Sequence, residues 1–556
     1  MASGVSKQEG NRYDCKYEQP WGGVASNADP SDIQPNQFVT ADGLFVKNGR
    51  LNSAGWGNTT IFNFSNVVTQ GYFNGLQVDF TAMTYAQSTD EWTMYAFVSS
   101  TGSVYRYLQP SNEFVLAATL GFVAEFDCFQ IIAGVVYIFD FLYGKMYVFD
   151  SDALTITTGQ SYVGGKYCMV LDGYLLTAFT NQPTDVPAIK TNRYNWSGPF
   201  KYTTWDPAVD RTAGFNTLTS ASDQITGMFA MGNVGYILRT QGLSQLTPTG
   251  VGIAPFQTTD LWSSTFGLGC SYPKTFAQYG ALAIWANDSN IYSFFSGSMP
   301  TEICGAARRA IYADLNLYRN SGTTTTSVSG CISTVGENSA TPELIYTFAI
   351  IHVTTSGSGS IVGSFIWTYN INSGTWTRQT PDLDAQIKSI TGSSVGYSVN
   401  KVSAIGNYQL VLSPGIPPKG IRNNILITVY QGGVFKSILF SFYYSSEGGA
   451  SGCPVDTPIN LVLRQEEFRL GTSYTARGAI VKLAGIGTVN TTVTNQYGSQ
   501  ALTPIVLTDV TRPLVVDLAY GQTSGENLQL ALTSTNFDGA ISKIVMSVTY
   551  DEGEPL

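Results

Sequence analysis

The chain has 556 residues and is 43% hydrophobic and 13% aromatic but only 12% charged, with 57 glycines. That profile argues against a fold of charged amphipathic helices; it suits two to four domains of pleated sheets and tight turns. The formal net charge of −10 excludes tight wrapping on nucleic acid, which basic side chains drive by releasing counterions from phosphates.

Residues 1–67 begin "MASGVSKQEGNRYDCKYEQPWGG", with no apolar core of the kind an export leader needs. They read as an extended N-terminal segment. The longest apolar run, "IIAGVVYIF" from Ile131, ends at Asp140, far short of the roughly 20 residues of a bilayer helix. A soluble chain without membrane insertion is expected. Seven cysteines (Cys15, Cys128, Cys168, Cys270, Cys304, Cys331, Cys453) are scattered without a C-x-x-C pair, so reduced, mostly buried thiols are expected.

From 68 to 445 the apolar residues come in bursts of five or six, bounded by Gly, Asn, Asp or Ser, and each pair of bursts reads as a hairpin. The first turns fall near Ser88 to Glu91 and at Thr101-Gly102. The next fall at Gly134, Tyr143-Gly144, Asp172-Gly173, Gly232-Asn233 and Gln241-Gly242. In "YGALAIWANDSNIYSFFSGSMPTEI" (279–303) the turn is Asn287-Asp288-Ser289-Asn290, and in "KVSAIGNYQLVLSPG" it is Gly406-Asn407. A closing aromatic or apolar strand recurs at Tyr107, Phe149, Tyr194 and Leu238, a spacing of about 40–45 residues, then more loosely at Phe295 and Tyr369. A sheet of four short strands cannot bury both faces alone, and radial packing on its neighbours does so. The expected fold is all-β: a β-propeller of six or seven blades over 68–445. One short helix is expected, in "GAARRAIYADLNL" (305–317). Residues 446–556 read as a Gly- and Ser-rich linker followed by a C-terminal β-sandwich of seven or eight strands.

Catalytic signatures are sparse. The single histidine, His352, lies in the apolar strand "FAIIHV", where a packed role outweighs a catalytic one. Carboxylate pairs that could hydrolyse a glycan are Asp90-Glu91, Asp382 with Asp384, and Glu466-Glu467. Adjacent strand residues point to opposite faces, and Pro381 places Asp382 and Asp384 in a loop. Trp92, Trp196, Trp205 and Trp376 lie near turns, where they could stack on sugars or fill gaps between blades. No catalytic, cofactor-binding or metal-ligating residue is assigned.

The segment "PWGGVASNADPSDIQPNQFVTADGLFVKNGRLNSAGWG" (20–57) resembles the opening of the tail nozzle or hub proteins of short-tailed bacteriophages, including the packaged-DNA stabilisation type. The matching residues are Gly22-Gly23, Asp29-Pro30, Pro35-Asn36-Gln37, Gly49-Arg50-Leu51 and the closing Gly57. "TFGLGCSYPKTFAQYGALAIWANDSNIYSFFSGSMPTEI" is similar to a blade of that family, with Asp288-Ser289-Asn290 where a plainer Asp-Gly turn is usual. The C-terminal sandwich has no residue-level match. The resemblance implies a non-enzymatic virion protein, without cofactor, assembled in the host cytoplasm. It implies a ring, usually a hexamer, below the portal and adaptor that anchors fibres or spikes and passes double-stranded DNA without sequence preference. Two other readings are a receptor- or glycan-binding propeller and a glycan-degrading one.

Overall fold

The structure, a computed structural model, describes residues 5–551 except 9–11, 19–20, 27–28, 35, 48, 59–62, 65–71, 75, 87–90, 109–112, 158–161, 183–185, 219–222, 263–266, 336–342, 356–358, 393–395, 411–418, 445–457, 468–472, 519–522 and 526. The chain is all-β, and among the described residues five small sheets, followed by two antiparallel runs within a larger sheet (Thr324–Val335 to Thr375–Gln379 and Ser398–Leu410 to Val434–Tyr444), succeed one another as seven propeller blades. Their innermost strands are Val78–Ala86, Cys128–Ile132, Gly165–Leu171, Ile225–Met231, Ala277–Tyr279, Thr324–Val335 and Ser398–Leu410.

The second blade shows why a blade does not stand alone. On its strand Val135–Asp140, Val136 and Ile138 pack with Tyr95 and Phe97 of the first blade. The intervening Tyr137 and Phe139 pack with Leu175 and Trp205 of the third. Alternate side chains thus feed two different inter-blade cores, as the two-residue period of a strand requires. Each buried aliphatic or aromatic side chain contributes about 1.5–3 kcal/mol only when the neighbour it faces is present, so the blade needs both.

A second recurring device is polar. An aspartate at or just before the inner strand accepts the N–H of the turn between the second and third strands. Asp79 accepts from Ser99 (2.7 Å), Asp127 from Phe141 (2.8 Å) and Asp223 from Gln241 (2.8 Å). These turns would otherwise leave a backbone donor unpaired.

The ring closes with N-terminal strands. In the seventh blade Val434–Tyr444 pairs on its outer side with Arg50–Asn58 and Tyr72–Asn74. The same N-terminal segment reaches the C-terminal strands. Arg12–Glu18 and Arg50–Asn58 pair with Asp538–Asp551, while Gln37–Asp42 pairs with Ile459–Leu463 and touches the sixth blade at Arg378. The 23-residue strand Ser473–Asn495 serves both layers of the C-terminal region. Its first part runs with Ile505–Leu518 and Asp538–Asp551, its end with Asn527–Ser534. One apolar core joins Trp21, Phe38, Leu461 and Ile544 to Ile284 of the fifth blade, Ile311, and Trp367 and Trp376 of the sixth.

Several expectations change in detail. Gly406-Asn407 makes no turn; it is a bulge inside Ser398–Leu410, where the register shifts between Ile405 and Tyr408, as an unpaired extra residue does. Leu238 lies in the second strand of its blade (Val234–Arg239), whereas Tyr107, Phe149, Tyr194, Phe295 and Tyr369 all lie in third strands. The helix α1 spans Arg308–Asn316 as expected, and a second, α2, spans Leu383–Thr391, capped by Asp382 accepting from the Ala385 N–H. Pro381 and Asp382 lie in the loop before this helix, whereas Asp384 lies in its first turn. The turn at Ser88 to Glu91 lies mostly outside the described residues, and so does 445–457 of the linker.

Candidate functional site

The inner strands of all seven blades surround an axial cavity of about 860 Å³. Each blade contributes a polar or thiol side chain: Asp79, Cys128, Cys168, Thr226, Lys274, Ser329 and Lys401 in blade order. Aromatic rings fill the spaces between them. Phe80 stacks on Phe129 with centroids 4.1 Å apart and on Phe97 at 4.6 Å, and Phe229 lies 5.0 Å from Phe276.

The charges cluster near the starts of the inner strands. Lys401 Nζ of the seventh blade lies 2.7 Å from Asp79 Oδ1 of the first. Lys274 is exposed and has no hydrogen bond or ion pair among the described residues; partial desolvation of its ammonium, then the Lys401 charge, push it below the usual range. Asp127 is an exposed residue, yet the atoms packed around its carboxyl desolvate it enough to raise its pKa to about 6. Cys128 Sγ donates to the Gly165 carbonyl at 3.7 Å, and burial, followed by the neighbouring Cys168, holds its thiol well above the ordinary range.

Among the carboxylates singled out in the sequence whose side chains are described, namely Asp382, Asp384 and Glu466, none lines this cavity. Glu466 is buried, takes two hydrogen bonds from Arg464 at 2.7 and 2.6 Å, and accepts from Tyr17 Oη at 2.6 Å. Asp382 caps α2, while Asp384 binds Lys388 and Tyr397. Asp90 lies outside the described residues. The cavity carboxylates are instead Asp79 and Asp127, and both also serve as turn staples, a task Asp223 performs away from the cavity. Position at the start of an inner strand is their only sequence signal, and it requires knowing which strands are innermost.

His352 is fully buried. Its Nε2–H donates to the Asp314 carbonyl at 2.9 Å, so Nδ1 accepts from the Thr326 hydroxyl at 2.9 Å. Burial lowers its pKa. Beside it Asp314 accepts from Trp367 Nε1 (2.9 Å) and pairs with Arg378 (2.8 Å), which also reaches Asp42 (3.4 Å). Trp196, Trp205 and Trp376 are buried, with indole N–H groups bonded to the carbonyls of Thr212, Tyr202 and Ile303. They fill inter-blade gaps and present no face to a sugar. The side chain of Trp92 lies outside the described residues.

Among the described residues no group of three or more His, Cys, Asp or Glu is placed to hold a metal ion, and no helix is long and apolar enough to cross a membrane. No protein-family model matches the chain, and no curated protein sequence does. Among solved structures, virginiamycin B lyase from Staphylococcus aureus aligns over 70% of this chain and 98% of its own, with 10% identity and a TM-score of 0.35. An exo-β-1,3-galactanase from Phanerochaete chrysosporium aligns over 77% and 97%, with 10% identity and a TM-score of 0.23. Similarity at this level says nothing about chemistry.

Proposed function

We propose that the protein is a structural component of a short-tailed phage virion, a tail nozzle or hub whose copies form a ring that conducts and retains DNA and anchors fibres or spikes. One observation carries this reading: the residues of the nozzle-like opening are the parts of a clamp between propeller and C-terminal sheets. The Gly22 N–H donates to Asn36 O, and Gly23, at φ +71°, lies against the Trp376 backbone. Pro30 O accepts from the Gln465 N–H, Gly49 O accepts from Trp21 Nε1, and Leu51 pairs with Ile541. A segment spent on joining two sheet systems into one stiff body suits a wall protein.

Two further features fit. Phe200, Val209, Val251 and Ile253 are 52–78% exposed on the loops joining third and fourth strands of blades three and four. A neighbouring copy could bury them without stranding charge. The axial cavity, at about 860 Å³ and lined with aromatic rings, is too small for a duplex whose major groove alone is about 12 Å wide. DNA would therefore run between copies, not along a propeller axis.

Electron microscopy of the purified protein and of phage particles tests the proposal. A ring of fixed copy number with a central opening, located at the tail tip, is expected. A monodisperse monomer that is absent from particles would overturn it.

A further inference from the structure

We propose that the axial cavity is a binding site for a small aromatic organic anion, its charged group held by Lys274 and Lys401 and its ring lying against Phe80 and Phe129. This inference is independent of the tail reading.

The cavity volume falls within the roughly 300–1,000 Å³ of small-molecule sites, and its lining mixes aromatic and aliphatic side chains with polar ones in about equal measure. Lys274 and the Lys401–Asp79 pair line the same cavity. Lys401 is neutralised by Asp79 at 2.7 Å, and that carboxylate is already engaged by the Ser99 N–H at 2.7 Å. Lys274 is left over: it is exposed to solvent at the cavity, feels Lys401 as a like charge, and has no anionic partner among the described residues. An anion placed between the two ammonium groups would remove that repulsion and accept charge-assisted hydrogen bonds.

The aromatic component of the ligand follows from the walls. Phe80, Phe129 and Phe276 are only half-buried although they point into the propeller. In the inter-blade cores equivalent rings such as Phe97 and Phe149 are closed off by their neighbours. Half-buried rings lining a cavity that also carries an unpaired cation suit a flat apolar body with one negative group, packed against the ring edges that stacking leaves free. The carboxylate of Asp127 lines the same cavity and disfavours ligands with a second negative charge near the second blade.

The test is calorimetric titration of the full chain with phenyl phosphate and benzoate, with benzamide and inorganic phosphate as single-feature controls. One site per chain is expected for at least one of the aromatic anions. Each control should bind about tenfold more weakly or worse, and Lys274→Met should cost about tenfold in affinity, the value of one charge-assisted hydrogen bond, with Lys274→Arg retaining it. Should Lys274→Met not fold, a crystal of the wild-type protein soaked in the tighter probe decides, with density expected between Lys274 and Lys401. Absence of binding by both aromatic anions at millimolar concentration, affinity indifferent to Lys274→Met, or density elsewhere would overturn the proposal.

Discussion

Lys401 of the seventh blade and Asp79 of the first meet at 2.7 Å inside the propeller, across the seam where the ring closes. The Asp79 side chain is 5% exposed and that of Lys401 26%, so the pair lies between the exposed and the fully buried limits. Lys401→Met would leave a buried carboxylate with only the Ser99 N–H, at a cost of about 2 kcal/mol. Urea unfolding of the single variant and of Lys401→Met with Asp79→Asn should show part of the loss recovered in the double variant. Additive losses would show that the pair does not couple the two blades.

The clamp makes a sharper prediction at two glycines. Gly23 and Gly232 both have left-handed backbone, at φ +71° and +61°. A Cβ on Gly23 would lie 2.8 Å from Trp376 N and 2.9 Å from Trp376 O, whereas one on Gly232 would meet nothing within 4 Å. Gly232→Ala should cost about 1–2 kcal/mol, the left-handed penalty alone. Gly23→Ala should cost more than about 3 kcal/mol, because backbone must also move. Denaturant midpoints measured side by side check this, and equal losses would remove the clamp from the account of the N-terminal segment.

Asp127 gives a pH dependence. Its folded pKa of about 6 lies above the ordinary carboxylate value of 3.8, chiefly through burial. The folded state then binds more protons than the unfolded one between those values, so this group's contribution to stability falls as pH rises from about 4 to about 6. Asp127→Asn should flatten that part of the stability profile, read from urea midpoints at successive pH values. An unchanged slope would place the carboxyl in an ordinary solvated setting.

His352 works in the opposite sense to Asp127. Burial lowers its pKa below the ordinary 6.5, so the unfolded chain takes up a proton first and the contribution is lost as pH falls below about 6.5. Because the chain has one histidine, its imidazole proton resonance is unambiguous in a magnetic resonance titration. A midpoint below 6.5 is expected; one at or above it would contradict the buried, Nε2-protonated ring.

The sequence by itself determined the strand-and-turn character, because a two-residue apolar alternation broken by Gly, Asn and Asp has few other local solutions. Tyr107, Phe149 and Tyr194 mark successive third strands for that reason. It also placed α1 and the hairpin through Asn287, whose side chain takes the N–H groups of Ser289 and Asn290. Only the tertiary structure decided that there are seven blades, since the seventh borrows its outer strands from residues 50–58 and 72–74, more than 350 positions away in the chain. The cavity likewise was not legible. Asp79, Lys274 and Lys401 come from three blades and share no local pattern, and they line one cavity because inner strands converge on an axis that no local stretch of sequence encodes.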